Sequence, residues 1–269
     1  MIGLWVALVL VSLVWFLPFL FMVLTSFKTD EDVTSTAIWE LPTTWAWSNY
    51  AAAADRGELW TVMRNSLFIA LVKVPLGLLI SAAAAFALSR LKFRFNRAVL
   101  LVLAAGAMIP VQVALAPMFK MMSALHMLDS TVWIILPYLA FGIPYQIFFL
   151  YGFFVALPRE LDEAARIDGA GNIRLFFQVL LPLAKPALAA LFILDFVATW
   201  NEYGMALTLL QDNAVQTVPL ALQNFQSQFN TAYGQLNAFI IMTILPVLIV
   251  YLMFQRFFTS GGLSGAVKG

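Results

Sequence analysis

Six apolar segments, each long enough to cross a bilayer, constrain the fold of this chain more than any other feature. A transmembrane helix needs about 20 apolar residues, because the hydrocarbon core is about 30 Å thick. The six segments fill most of the chain: residues 3–25, 64–89, 98–124, 131–156, 184–203 and 236–258. The sequence therefore predicts an all-α membrane protein with six transmembrane helices, folded as a single transmembrane domain over residues 1–269.

The composition agrees with a membrane protein and excludes several classes of function. Hydrophobic residues make up 62% of the chain and charged residues only 11%, against about 25% charged residues in soluble domains. The absence of cysteine excludes disulfides and thiolate chemistry, and a net charge of +1 predicts no nucleic-acid partner. No Gly-rich phosphate loop is present, so we expect no ATP hydrolysis, no catalytic or metal-binding residues and no cofactor.

The distribution of Lys and Arg predicts the orientation in the membrane, because positive charge accumulates on the cytoplasmic side. Two loops and the tail carry most of it: Arg90, Lys92, Arg94 and Arg97; Arg159, Arg166, Arg174 and Lys185; Arg256 and Lys268. The opposite side carries Lys28, Arg56 and Arg64. Both termini are therefore expected in the cytoplasm.

A short polar helix with a tight stop interrupts the apolar pattern at residues 157–183. Pro158 suits the first helical position, and acidic residues follow it where the positive end of the helix dipole lies. Gly169 stands where a left-handed C-terminal cap is expected, and Asn172 is then placed to cap a second helix. Pro182 and Pro186 predict that this second helix ends or kinks. One face of the first helix is small: Leu161, Ala164, Ala165 and Asp168.

The same loop carries a family resemblance. Glu163-Ala164-Ala165, then Gly169 and later Val179 and Leu181-Pro182, resembles the cytoplasmic loop of ABC importer permeases. Further motifs resemble the carbohydrate branch of that family, the maltose-permease type: Ser26-Phe27-Lys28, Met108-Ile109-Pro110 with Gln112, Leu136-Pro137-Tyr138, Trp200-Asn201-Glu202, and the tail Gly261-Gly262-Leu263 through Val267-Lys268-Gly269.

This resemblance implies a type I ABC importer permease fold in a bacterial-type cytoplasmic membrane. It implies import of a sugar, oligosaccharide or polyol derivative, with a homologous second permease, two ATPase subunits and an extracytoplasmic solute-binding protein as partners. The residues that would couple to the ATPase are Glu163, Ala164, Ala165, Asp168, Gly169, Leu181 and Pro182. The alternatives are an ABC permease for a peptide, amino acid or phosphate, and a secondary transporter, which would need no ATPase.

Polar and aromatic side chains within the spans are candidates for the translocation path. A sugar offers an apolar ring face to aromatic groups and hydroxyls to amides and carboxylates, so both kinds are needed. The candidates are Gln112, Tyr145, Gln146, Tyr151, Asn201, Glu202 and Tyr203. The alternative is that they form interhelical hydrogen bonds and lipid contacts, with the substrate site held by the partner permease.

Two opposite charges lie well inside apolar segments. Lys73 is nine residues from Arg64 and Asp195 is eight residues from Tyr203, so both lie roughly 12–14 Å below the outer surface at about 1.5 Å per residue. Each costs about 2.5–3.5 kcal/mol in the membrane if unpaired. They form a candidate intramembrane pair, unless Lys73 extends outward and Asp195 is neutral or meets another donor.

Three further segments have predicted roles. Residues 27–62 contain an Ala-rich stretch that forms either an interfacial helix or a lid packed on the bundle. Residues 204–235 are polar, and the resemblance implies that this loop contacts the solute-binding protein; the alternative is a plain solvated loop. The Gly- and Ser-rich tail at 259–269 either is disordered or reaches into the ATPase dimer.

Overall fold

The computed structural model describes residues 2–91, 93–227 and 231–257, and these residues are mostly helical. Within them, β-structure is limited to one isolated antiparallel bridge between Gln226 and Thr231. The α-helices in chain order are α1 (Ile2–Ser26), α2 (Asp30–Ser35), α3 (Ser48–Arg56), α4 (Leu59–Arg90), α5 (Asn96–Ala107), α6 (Val111–Ala124), α7 (Ile135–Ala156), α8 (Glu160–Ile167), α9 (Asn172–Arg174), α10 (Leu181–Leu183), α11 (Lys185–Trp200), α12 (Gly204–Leu209), α13 (Val218–Ala221), α14 (Tyr233–Thr243) and α15 (Leu245–Phe254). A π-helix covers Leu175–Leu180, and 3-10 turns cover Asn213–Val215 and Leu222–Phe225. The all-α prediction is confirmed.

Four helical segments of the described chain are long and apolar enough to span a membrane: Gly3–Ser26, Leu59–Arg90, Ile135–Ala156 and Tyr233–Phe254. Two further apolar segments are bent pairs of helices, α5 with α6 and the 172–183 helix with α11. Six spans result if each bent pair crosses the bilayer once. The number of spans and the cytoplasmic position of the termini stay predictions.

The third predicted span differs most from the structure. We expected one helix over 98–124, whereas α5 and α6 meet at 95°. Pro110 precedes α6 with φ −62°, and a proline has no N–H to continue the preceding helix and clashes with the carbonyl four residues back. The break at 108–110 is the result.

Two other helices begin or end at different residues from the predicted spans. The fifth span ends at Trp200 rather than residue 203, and it meets the 172–183 helix at 73° across Ala184. Pro186 near its start accounts for that bend, as the sequence predicted. The fourth span begins at Ile135 rather than residue 131.

The described chain divides into two compact units. Unit 1 contains Met1–Arg64 and Gln216–Pro246, and unit 2 contains Asn65–Val215 and Val247–Gly269. The coupling loop and the Lys73 and Asp195 side chains belong to unit 2. A single domain over residues 1–269 stays a prediction.

Unit 1 is held together by close approaches at two glycines. A Cβ at Gly57 would lie 2.3 Å from the Phe239 ring, and one at Gly234 would lie 2.5 Å from the Lys28 carbonyl oxygen. Asn49 donates to that same carbonyl at 2.9 Å, which fixes α3 against the chain after α1. The Ala-rich stretch of 51–54 does form a helix, α3, as predicted.

Helix α1 is different, because its apolar side chains remain exposed. None of its most apolar 18-residue stretch is buried inside the chain, and Trp15 is 77% exposed. A helix that is apolar all round and uncovered in water is unstable, so this surface requires lipid or another protein.

Unit 2 has a core built around α4. Val74, Ala82 and Ala85 are fully buried along it, and the two alanines let neighbouring helices approach its backbone closely. Leu150 and Phe154 of α7 are also fully buried. The coupling loop follows α7, so this core holds in place the helix from which the loop begins.

Candidate coupling loop and intramembrane polar sites

Helix α8 forms the polar helix predicted between the fourth and fifth spans. It begins at Glu160 with Arg159 as its N-cap, two residues later than the predicted start at Pro158. The Arg159 carbonyl oxygen accepts from the N–H groups of Asp162 and Glu163 at 2.9 and 3.2 Å. Three acidic side chains occupy the first turn, where the positive end of the helix dipole stabilises them.

Gly169 ends α8 in the left-handed conformation expected from the sequence, with φ +77°. The Ala170 N–H donates to the Ala165 carbonyl at 2.9 Å, and the Gly169 N–H donates to the Arg166 carbonyl at 3.0 Å. This pair of bonds is the Schellman motif, which satisfies carbonyls that the helix end leaves unpaired. A side chain at position 169 would oppose the turn, because left-handed backbone costs roughly 1–2 kcal/mol for residues with a Cβ.

The predicted small face of α8 is divided between interior and surface. Ala165 is 8% exposed and faces its own chain, Leu161 is half-buried, and Ala164 and Asp168 are exposed, as is the neighbouring Glu163. The role of this face in docking stays a prediction. Ala165 is small because the chain behind it is close, and only the outer residues are free to meet a partner.

Two large apolar side chains on the loop were missed by sequence reasoning. Ile167 is 86% exposed and Ile173 is 78% exposed, on either side of the Gly169 turn. They give the exposed side of this polar segment an apolar component. The sequence does indicate them, because each is an apolar residue beside a helix boundary, where a solvated loop usually has a polar residue.

The second helix begins differently from the prediction. Gly171 is its N-cap and no side chain caps it, so capping by Asn172 was wrong. The Asn172 side-chain oxygen instead accepts from Arg166 at 3.2 Å, which joins α8 to α9. Leu181 is half-buried and Pro182 exposed, just before the bend at Ala184.

A buried arginine joins the coupling loop to α4. Arg90 ends α4, and its Nε lies 3.3 Å from an oxygen of Asp162 in α8. Its Nη2 also donates to the Leu157 carbonyl at 2.9 Å. The Arg90 side chain is only 2% exposed, so this contact is part of the interior. Sequence reasoning used Arg90 only as a marker of the cytoplasmic side.

The seven candidate path residues do not gather at one place. Glu202 bonds to the hydroxyl of Tyr138 near the start of α7, at 2.6 Å. Tyr151 lies thirteen residues further along α7, about 20 Å away at 1.5 Å per residue. It lines a cavity with Arg90 and Arg159, which is a separate location.

Two of the candidate path residues, Glu202 and Gln146, form hydrogen bonds within the chain. Glu202 accepts from the N–H groups of Met205 and Ala206 at 2.8 and 3.0 Å, so its carboxylate satisfies the free start of α12. Gln146 is 1% exposed, and its side-chain oxygen accepts from Ser81 at 2.9 Å. Both match the alternative of interhelical and local hydrogen bonds.

The other candidates remain accessible. Tyr145 is 54% and Tyr203 42% exposed, and Gln112 and Asn201 are exposed as well. The Asn201 side chain donates to the Val197 carbonyl of its own helix at 2.9 Å.

Lys73 and Asp195 lie in contact. The Lys73 Nζ is 2.5 Å from Asp195 Oδ1, with side chains 4% and 11% exposed. Gly142 of α7 covers this pair, because a Cβ there would lie 2.9 Å from Nζ and 3.6 Å from Oδ1. Asp195 Oδ2 is buried without a hydrogen-bond partner among the described residues. The ion pair therefore joins α4 to α11 under a glycine of α7.

The coupling loop and the candidate path residues lie within the range matched by one protein family. The model of the binding-protein-dependent transport system inner membrane component matches residues 74–260, more than half of the chain. The chain belongs to this family. It is a transporter permease of the inner membrane with several apolar helices, and the resemblance seen in the coupling loop is confirmed.

Several known permeases align with almost the whole length of this chain. A putative ABC transporter permease of a Caldicellulosiruptor species is 37% identical over 94% of this chain and 91% of its own. A diacetylchitobiose uptake system permease of Streptomyces coelicolor is 37% identical over 93% and 83%. A melibiose/raffinose/stachyose import permease of Bacillus subtilis is 32% identical over 97% and 94%. These relatives confirm the resemblance to the carbohydrate branch.

A solved structure agrees with the fold. A chain of a bacterial ABC transporter involved in import of the acidic polysaccharide alginate has a TM-score of 0.80 and 26% identity, over 96% of this chain and 95% of its own. A methionine ABC transporter chain has a TM-score of 0.59 at 16% identity, over 74% and 93%, which shows the shared fold alone. The permease therefore has the type I importer fold.

Proposed function

We propose that this permease imports a sugar, oligosaccharide or polyol derivative, driven by ATP hydrolysis in separate subunits. The observation that carries the proposal is the joint match to permeases of oligosaccharide uptake systems over nearly the whole chain. The alternative of another solute class has no specific support, since the methionine transporter shares only the fold.

The ATPase partners dock on the exposed part of the coupling loop in this proposal. Ile167 and Ile173 supply apolar area, while Glu163 and Asp168 supply charge at its edge. An exposed apolar centre with a polar rim is the usual anatomy of a protein interface. Closure of two ATPase subunits would then move α8, and Arg90 would pass that movement to α4.

In this proposal, the exposed apolar surface of this chain contacts a second, homologous permease and the bilayer. The uncovered α1 supports this, because its side chains need apolar surroundings. The six spans with both termini in the cytoplasm complete the proposed arrangement, and the positive charges of the coupling loop and the 90–97 loop support that orientation.

A solute-binding protein would deliver the substrate on the opposite side. Gln223, Asn224 and Gln226 of the 204–235 loop are exposed, as a polar contact surface requires; Gln228 and Asn230 lie outside the described residues. A solved alginate transporter contains a pentasaccharide-bound periplasmic protein, which supports this kind of partner. The proposed contact of the tail at 259–269 with the ATPase dimer also lies outside the described residues.

The path for the substrate rests on the accessible candidates. Gln112, Tyr145, Asn201 and Tyr203 offer amide groups and aromatic faces to a sugar, whereas Glu202 and Gln146 act in holding helices together. The Lys73–Asp195 pair would fix α4 and α11 to each other beside that path. Only contacts that differ between inward- and outward-facing states can do work on the substrate.

The test is stimulation of ATP hydrolysis in the purified complex. The permease is co-expressed with its proposed second permease and ATPase, reconstituted in vesicles, and given its binding protein with sugars, amino acids or peptides in turn. The proposal expects stimulation by a sugar or polyol derivative and none by the other classes. Stimulation by an amino acid or peptide alone would reassign the substrate, and failure of any ATPase to co-purify would refute the importer.

A further inference from the structure

A cavity of about 620 Å³ lies where α4 ends, beside the coupling loop. It differs from the path candidates in its position and in its charge. Its lining comes from the end of α4, the turn that follows, α7 and the residue before α8: Leu88, Ser89, Arg90, Leu91, Phe93, Arg94, Asn96, Tyr151 and Arg159.

Three guanidinium groups line this cavity, and no acidic side chain is among its described lining residues. Arg90 is paired with Asp162 outside the cavity. Arg94 and Arg159 are exposed, and neither has a carboxylate within ion-pair distance in the described chain. Two unpaired guanidinium groups facing one space repel each other, so the cavity favours an anion.

Hydrogen bonds within the chain hold the residues that line the cavity. The Asn96 side chain donates to the Leu88 carbonyl at 2.7 Å and to the Leu91 carbonyl at 3.4 Å. These bonds close the turn that presents Arg94. Arg90 is nearly fully buried, and its hydrogen bond to the Leu157 carbonyl holds it in place in the cavity wall.

We propose that this cavity binds a phosphate group, supplied by an anionic phospholipid or by a soluble phosphate ester. Guanidinium groups bind phosphate through paired, charge-assisted hydrogen bonds. Phe93 and Phe95 beside the cavity are 43% and 63% exposed, which suits the boundary of a bilayer. Basic groups at the cytoplasmic surface attract anionic lipids, and this placement rests on the orientation proposed above.

Binding there would act on the coupling loop. Arg159 is the N-cap of α8, whereas Arg94 belongs to the turn after α4. A phosphate held between them joins the two segments by a second contact, besides that of Arg90 with Asp162. Occupancy would therefore restrict the loop that meets the ATPase and make coupling depend on the surrounding lipid.

The test measures retained lipid on the purified transport complex. The complex is exchanged into bilayer discs of phosphatidylcholine with or without phosphatidylglycerol, and bound lipid is counted by native mass spectrometry after extraction. The variant is Arg94→Gln with Arg159→Gln, and the charge-matched control is Arg97→Gln with Arg174→Gln, which do not line the cavity. Melting temperatures in phosphatidylcholine alone verify that both variants are folded.

The proposal expects the cavity variant to retain phosphatidylglycerol at least about tenfold more weakly, because it loses two charge-assisted contacts. The control should match the unaltered complex. Glycerol phosphate or inorganic phosphate that binds in lipid-free detergent and requires Arg94 and Arg159 would identify a soluble source. Equal losses in variant and control would overturn the site, as would no loss of lipid in either together with no phosphate binding in detergent that requires Arg94 and Arg159. Neither result depends on which solute is transported.

Discussion

The permease holds charge in two contrasting settings. Lys73 and Asp195 meet inside apolar helices, with side chains only 4% and 11% exposed. On the coupling loop, Glu163 and Asp168 are exposed around Ile167 and Ile173. The first pair of charges is neutralised within the chain, although Asp195 Oδ2 has no hydrogen-bond partner among the described residues, whereas the second set is accessible to a proposed partner.

The contrast separates two kinds of defect. Damage to the buried pair leaves an uncompensated charge in a low-dielectric interior, so it should act on folding and assembly. Damage to the exposed loop leaves the chain folded, so it should act on the partner and on coupling. Assembly and coupling, measured on the same variants, should therefore respond differently in the two regions.

The largest expected effect is that of Lys73→Met. It leaves Asp195 buried and unpaired, which costs about 3–5 kcal/mol. We expect low yields of assembled complex, whereas Lys73→Met with Asp195→Leu should recover assembly. A double-mutant cycle on thermal stability measures the coupling between the two positions. Additive losses would show that the two charges act independently.

A smaller effect is expected for Gly142→Ala. The new Cβ would lie 2.9 Å from the Lys73 Nζ, and overpacking of this kind costs typically about 1–3 kcal/mol. The control is Gly152→Ala in the same helix, where nothing lies within 4 Å of a Cβ. A lowered melting temperature for Gly142→Ala alone would place α7 against the pair, and equal temperatures would remove it from that contact.

Gly169→Val should separate coupling from assembly. Valine at φ +77° is strained by at least about 1–2 kcal/mol, and the exposed turn has room to deform. We expect a complex that inserts normally but loses ATPase association or solute-stimulated hydrolysis. Gly171→Val is the control, because φ −74° and ψ 174° are open to any residue. Unchanged coupling in Gly169→Val would exclude the turn from docking.

The smallest effect is expected for Asp162→Asn. It removes the charge facing Arg90 at 3.3 Å yet keeps the Arg90 contact with the Leu157 carbonyl. The amide still faces Arg90, which keeps its hydrogen bond to the Leu157 carbonyl, so the loss should be about 1 kcal/mol, less than when one partner of a buried pair is removed outright. Solute-stimulated hydrolysis should fall while basal hydrolysis and assembly stay intact. Glu160→Gln, an exposed acidic residue of the same first turn outside the proposed docking set, serves as a control that leaves the Arg90 contact untouched, and an identical fall there would assign the effect to lost surface charge.

Local chemistry made the coupling loop largely predictable. Gly169 is specified by the need for a left-handed turn, and the acidic first turn of α8 follows from its dipole. The start of α8 and the cap at Asn172 were wrong, because Arg159 and Gly171 supply backbone caps that need no side-chain signal. Ends of helices depend on such backbone details.

The remaining features of the candidate sites depend on tertiary contacts. The equal depth of Lys73 and Asp195 suggested a pair, but which helix covers it follows only from the packing of Gly142. Glu202 resembled a substrate contact until the bonds to Tyr138 and to the start of α12 were located. The Arg90–Asp162 contact joins residues 72 positions apart (162 − 90), and no periodicity reports such a contact.

The central claim is that this permease turns ATP hydrolysis by separate subunits into sugar import through α8. Uptake of a labelled sugar into vesicles containing the reconstituted complex tests it most directly, with ATP supplied on the side of the coupling loop. We expect uptake that requires ATP and the binding protein, is abolished by Gly169→Val and persists in Gly171→Val. Uptake that proceeds without ATP, or that is equal in all variants, would contradict it.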